Sequence, residues 1–142
     1  MRLSIISIVL FIVVTAVYGD KNTNSLKGKI MQISVNSNGQ TTVFQLNNSE
    51  AAKELYAQLP LDIEVENYSN NEKIFYPPKK LTTSKTPAAD AKTGTLAYYA
   101  PWGNVVMFYK DFGTANGLYE LGYAVSGVEH IKNMSGMIQI TK

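Results

Sequence analysis

The sequence predicts a mainly β domain, closed into a barrel or folded as a sandwich. Three observations carry that reading. About eight short segments, most with a period of two, follow one another at even spacing with turn residues between them. Only one segment has a well-marked helical period, and a second helix can be no more than short. Finally, Gly94–Ala100 and Val105–Lys110 are apolar on both faces. That suits strands whose inner side fills a barrel while the outer side lies beneath a helix or loop.

The first residues stand apart from this pattern. Arg2 supplies a positive start, Leu3–Val14 runs apolar with only serines interrupting, and Val17 and Gly19 supply small residues before Asp20. This is the three-part pattern of a signal peptide over 1–19, and it predicts cleavage after Gly19 and export, to the periplasm or the medium. The apolar run is shorter than the about 20 residues of a spanning helix, so no membrane association is expected after cleavage. The 123 residues that remain suit one domain with one core: a polar tether over 20–28, then a folded domain over 29–142.

Charge and residue usage exclude several functions. The mature chain has 12 lysines against 11 acids and no basic run, which argues against nucleic acid. Cysteine is absent and His130 is the only histidine, so no disulfide, metal site or cofactor is expected. Asn47, Asn67 and Asn133 each open an Asn-x-Ser triplet, a sugar acceptor only in a eukaryotic secretory route.

The elements follow in order. From Lys29, Met31, Ile33 and Val35 share one face, Asn38-Gly39 makes a hairpin turn, and Thr41–Leu46 returns with Phe44 and Leu46 inward. The period then changes. Asn48 or Ser49 caps a helix over 49–59, Glu50 lies in its first turn and Pro60 stops it. Ala52, Leu55, Tyr56 and Leu59 form its apolar stripe. Leu61–Glu66 alternates, with Leu61, Ile63 and Val65 inward and Asp62, Glu64 and Glu66 outward. A polar turn over 67–71 leads to a short strand, Lys73–Tyr76, ended by Pro77-Pro78. Residues 79–93 read as loop. Strands Gly94–Ala100 and Val105–Lys110 flank a turn at Trp102-Gly103-Asn104, and a glycine-bearing loop over 113–117 precedes strand Leu118–Val125. A short helix fits Val128–Asn133, and Met134–Ile140 is the last strand.

From Gly94 to Lys132 the order of features resembles the cyclophilins. "GTLAYYAPWGNVVMFY" is similar to their "G-I-L-S-M-A-N … N-G-S-Q-F-F-I", and "GLYELGYAVSGVEHIK" to their "G-K-H-V-V-F-G-x-V-x-x-G-M-D-V-V". In that likeness Gly122 is the strand glycine, Gly127 leads the late helix, and Val128 and Ile131 face the core. The blocks "YYAPWGNVVMFYKDFG" and "GLYELGYAVSG" are closer still to a family of small cyclophilin-like proteins. The resemblance covers 29–142. It implies a cyclophilin-like closed eight-stranded barrel with a helix at each end, over 49–59 and 128–133, and no particular activity.

Cyclophilins twist a proline amide with the help of an arginine, beside an apolar pocket for the ring. The barrier is amide resonance, about 18–20 kcal/mol, so a donor aimed at the amide is needed. Here the only arginine is Arg2, within the signal peptide, and the cyclophilin "F-H-R" strand falls near 73–78 with no basic residue after Phe75. Lys79, Lys80 and Lys110 are point charges without the planar fork. Asp62, Glu64 and Glu66 read as a solvated strand face, Asp111 as a turn residue, His130 as a surface residue, and Gly113 and Gly117 as turn glycines rather than a phosphate loop.

The expected function is a non-catalytic binding module for a peptide or small apolar ligand. A weak or altered prolyl isomerase is the alternative, and a structural domain without a groove a third. The candidate cleft takes Phe75, Tyr76, Tyr99, Trp102, Phe108 and Tyr109. Alternation puts Val106 and Phe108 on one face, Val105, Met107 and Tyr109 on the other. Trp102, in a Pro-Trp-Gly turn, is expected at the cleft edge.

Overall fold

The structure, a computed structural model, describes residues 29–142; the expected signal peptide (1–19) and tether (20–28) lie outside the described residues. Eight strands run as β1 (Gln32–Ser37), β2 (Gln40–Leu46), β3 (Leu61–Tyr68), β4 (Glu72–Phe75), β5 (Thr95–Tyr99), β6 (Asn104–Phe108), β7 (Leu118–Ser126) and β8 (Gly136–Thr141). They are antiparallel and close on themselves in the order β1-β2-β7-β5-β6-β4-β3-β8. Helix α1 (Glu50–Ala57) joins β2 to β3, and a 3₁₀ helix (Val128–Asn133) joins β7 to β8. Of the two architectures that strand spacing left open, the barrel is the one formed.

Closure leaves the strands with two distinct apolar layers. Inside the barrel, Ile33, Val35, Phe44, Leu96, Tyr98, Val105, Met107, Ile138 and Ile140 meet Ala51, Ala52 and Leu55 of α1 and Ile131 of the 3₁₀ helix. Outside it, Ile74, Ala97, Val106, Phe108 and Leu118 lie under Ala89 and Ala91 of the 79–93 loop. This second layer is why β5 and β6 read as apolar on both faces. The loop is pinned by bridges at Ala88–Tyr119 and Ala91–Gly113. The Leu81 N–H also donates to the Tyr98 hydroxyl over 3.1 Å.

Local chemistry explains most boundaries. Asn38 (φ 52°) and Gly39 (φ 77°) make the β1–β2 turn in the left-handed region. The Ala52 N–H donates to Ser49 Oγ, which therefore caps α1. Leu59-Pro60 is a cis peptide bond just beyond the helix. Gly122 is required for closeness, since a Cβ there would run into the Gln45 carbonyl oxygen on β2. Asp62, Glu64 and Glu66 are exposed, as their alternation requires.

Four expectations need correction. The late helix forms over Val128–Asn133 as expected, as a 3₁₀ helix, but only Ile131 is buried in it; Val128 is exposed rather than facing the core. Its six residues follow a left-handed Gly127 and are held by i→i+3 bonds such as His130 N–H to Gly127 C=O, 3.0 Å. Tyr68 belongs to β3 and not to the turn, and Asn104 opens β6 as a buried residue. Tyr76 lies past the end of β4. Asn47 bonds Glu120 C=O and the Ser49 N–H through its side chain, so that triplet is occupied structurally, whereas Asn67 and Asn133 are exposed.

Candidate functional site

The strand registers bring three distant segments to one place on the outer face of the barrel. Tyr68 on β3 pairs with Glu72 on β4, Ile74 pairs with Val106 on β6, and Asn104 pairs with Tyr99 on β5, which pairs in turn with Leu118 on β7. Paired residues share a face, so these side chains all stand outward. The 79–93 loop covers part of this face but not all of it. The remainder is a cavity of about 200 Å³ lined by Tyr68, Glu72, Ile74, Tyr99, Trp102, Asn104, Val106, Phe112, Ala115 and Leu118.

Its floor and mouth differ. Glu72, Ile74, Asn104, Val106 and Leu118 are buried, while Tyr68, Trp102 and Phe112 are each nearly half exposed. Trp102 packs edge-on against two tyrosines, with centroids 5.1 Å from Tyr68 and 5.4 Å from Tyr99. Phe112 rests on Phe108 at 5.5 Å. Two polar groups interrupt the apolar floor. Asn104 is 1% exposed, and its Oδ1 has no donor among the described residues. Glu72 is 9% exposed, and burial raises its pKa above the usual 4.5. The neighbouring Lys73 lies on the opposite face of β4, where burial lowers its pKa. No lysine, arginine or histidine lines the cavity.

The six candidate residues are therefore divided. Tyr99 and Trp102 line the cavity together, and Phe108 supports it from beneath Phe112. Phe75 does not reach it: it alternates inward on β4 and is fully buried in the barrel core. Tyr109 likewise packs toward the interior, and Tyr76 is exposed outside the lining. Tyr68, Glu72, Asn104 and Phe112 were missed. One signal could have found two of them. Carrying the β4 alternation back from Ile74 places Glu72 beside it, and carrying it back along β6 from Val106 does the same for Asn104.

The charged candidates lie elsewhere. Lys79 and Lys80 line a second concavity with Glu54, Ala57, Gln58 and Pro78, which shares no residue with the first. Asp111 accepts from the Thr93 N–H (2.8 Å) and hydroxyl (3.1 Å), which hold its pKa below the usual range and fix the loop. His130 is partly exposed beside Glu129 at 3.3 Å. Among the described residues no group of three acids or histidines is placed to hold a metal, and no helix is long and apolar enough to cross a membrane.

Comparison with known proteins agrees with this architecture. The model described as "Cyclophilin-like family" matches residues 35–141. A search of curated proteins finds no match. Among solved structures, a hypothetical protein of Archaeoglobus fulgidus superposes with a TM-score of 0.63 at 14% identity, covering 82% of this chain and 98% of its own. The mimivirus cyclophilin superposes with a TM-score of 0.52 at 12% identity, covering 81% of this chain and 88% of its own. At such identities the likeness is one of fold.

Proposed function

The chain belongs to the cyclophilin-like family, and from that premise we infer that it is an exported binding module which holds a peptide side chain or small, partly apolar molecule in the outer aromatic cavity, without isomerising prolyl bonds. One observation carries the reading: four aromatic side chains surround a hollow whose lining has no basic residue. A cavity of about 150 Å³ is enough for a benzene-sized group, so about 200 Å³ suits one ring or a branched head. Isomerisation needs a strong donor directed at the twisting amide. Lys79 and Lys80 line a different concavity, and Lys110 is exposed outside the lining. The signal-peptide pattern of residues 1–19 supports export.

Trp102, the sole tryptophan, reports directly on this cavity. The protein is titrated with a short Ala-Pro peptide and with cyclopentanol while its emission is followed, and the cis–trans rate of the peptide is measured alongside. A saturable change with at least one probe and an unaccelerated rate are expected. A flat response to both, with Trp102 still open to iodide, would sink the binding reading in favour of a structural domain. Acceleration would make the protein an altered isomerase instead.

A further inference from the structure

The polar groups in the cavity narrow the ligand further, an inference that rests on the binding reading above. The outer layer of β4, β5, β6 and β7 is otherwise apolar, carrying Ile74, Ala97, Val106, Phe108 and Leu118. Into it project the side chains of Glu72 and Asn104, residues that are each more than nine-tenths buried. No ion pair and no side-chain hydrogen bond among the described residues engages the Glu72 carboxylate, and Asn104 Oδ1 likewise has no donor. A partly desolvated carboxylate without a cation, and a buried acceptor without a donor, each oppose folding. Both costs are removed by the same kind of ligand, one bringing positive charge and an N–H.

The rings around them are suited to that ligand. Trp102 stands nearly perpendicular to both Tyr68 (85°) and Tyr99 (78°), and Phe112 adds a fourth ring to the lining. Rings set around a hollow attract a cation through the negative potential of their faces. No basic side chain competes for the space. We propose that the cavity binds the ammonium head of a small organic amine. Glu72 supplies the opposite charge, Asn104 Oδ1 accepts an N–H, and Tyr68, Tyr99, Trp102 and Phe112 enclose the carbon groups.

The test uses n-butylammonium chloride and its neutral counterpart n-butanol, at constant ionic strength and neutral pH. The readout is the NMR shift of the Trp102 indole N–H and the Asn104 side-chain amide. The expected result is saturable shifts of both signals, with n-butylammonium bound at least about tenfold more tightly than n-butanol. Glu72→Gln, which keeps the volume, is expected to bring the two probes to equal affinity. Equal affinities in the unaltered protein would overturn the cation inference and leave the binding reading standing. No shift with either probe at about 100 mM, well above the Kd expected of a working site for so small a ligand, would overturn both. Should Glu72→Gln fail to fold, Trp102→Leu at its half-exposed position is read through the Asn104 amide. It is expected to weaken n-butylammonium about tenfold, and an unchanged affinity would overturn the aromatic enclosure.

Discussion

A carboxylate on the outer face of β4 gives up part of its hydration to stand beside Ile74 and Val106. Burial raises the Glu72 pKa in the folded protein above 4.5, so the folded state holds the proton more tightly than the unfolded chain. The ionised form therefore opposes folding at neutral pH. That opposition fades as pH falls through the raised pKa and is gone below the unfolded value. The other titratable side chains lining the cavity are Tyr68 and Tyr99. Glu72→Gln should accordingly raise the urea midpoint at pH 7, with the gain shrinking toward pH 4. A gain of equal size at both values would show that charge is not its cause. A stability cost that disappears on substitution is what a residue kept for binding is expected to show.

At the scale of the element, the 79–93 loop behaves as a third layer rather than as a connection. It has no periodicity, yet Leu81, Ala89 and Ala91 are buried, and backbone bonds tie Ala89 to Leu118 and Ala91 to Gly113. Its first anchor is the buried pair of the Leu81 N–H and the Tyr98 hydroxyl, 3.1 Å apart. Tyr98→Phe keeps the ring in the barrel core but leaves that donor unpaired. The expected cost is about 1–3 kcal/mol, read from the urea midpoint, together with faster amide exchange at Leu81. Unchanged exchange there would mean that the loop is held by its apolar contacts alone. The same element bounds the cavity, because the Ala91 carbonyl accepts from the Phe112 N–H over 3.0 Å while the rings of Tyr68, Trp102 and Phe112 stay nearly half exposed.

For the whole molecule, stability depends on closure. With no cysteine, the barrel is held by its two apolar layers and an unbroken ring of strand pairs. Strand β8 completes that ring, pairing with β1 through Val35–Ile140 and with β3 through Ile63–Ile138. Removing residues 136–142 would expose two edges and take Ile138 and Ile140 out of the core. At about 2–5 kcal/mol for each large aliphatic side chain lost, against a total of about 5–15 kcal/mol, the truncated chain should lose its cooperative urea transition. A truncated protein that still unfolds cooperatively would show that closure is dispensable.

Local pattern was enough to read the strands, the Asn38-Gly39 turn, the Ser49 cap and α1, because each depends on residues within a few positions of one another. The two-faced apolarity of β5 and β6 also announced an outer layer before any covering element could be named. The site was legible only in part. Tyr99 and Trp102 lie in the conspicuous aromatic stretch, but Phe75 was assigned to the wrong side of β4, and Tyr68 and Asn104 passed for turn residues. What gathers Tyr68, Glu72, Asn104 and Leu118 into one cavity is the register across five paired strands, β3, β4, β6, β5 and β7. Alternation alone leaves open which of a strand's two faces turns outward, and a shift of one residue moves every side chain to the opposite face. The sequence by itself therefore determined that a β domain with two apolar layers would form. Only the closed barrel, by choosing inside and outside for each strand, decided that the carboxylate of Glu72 and four aromatic rings would meet.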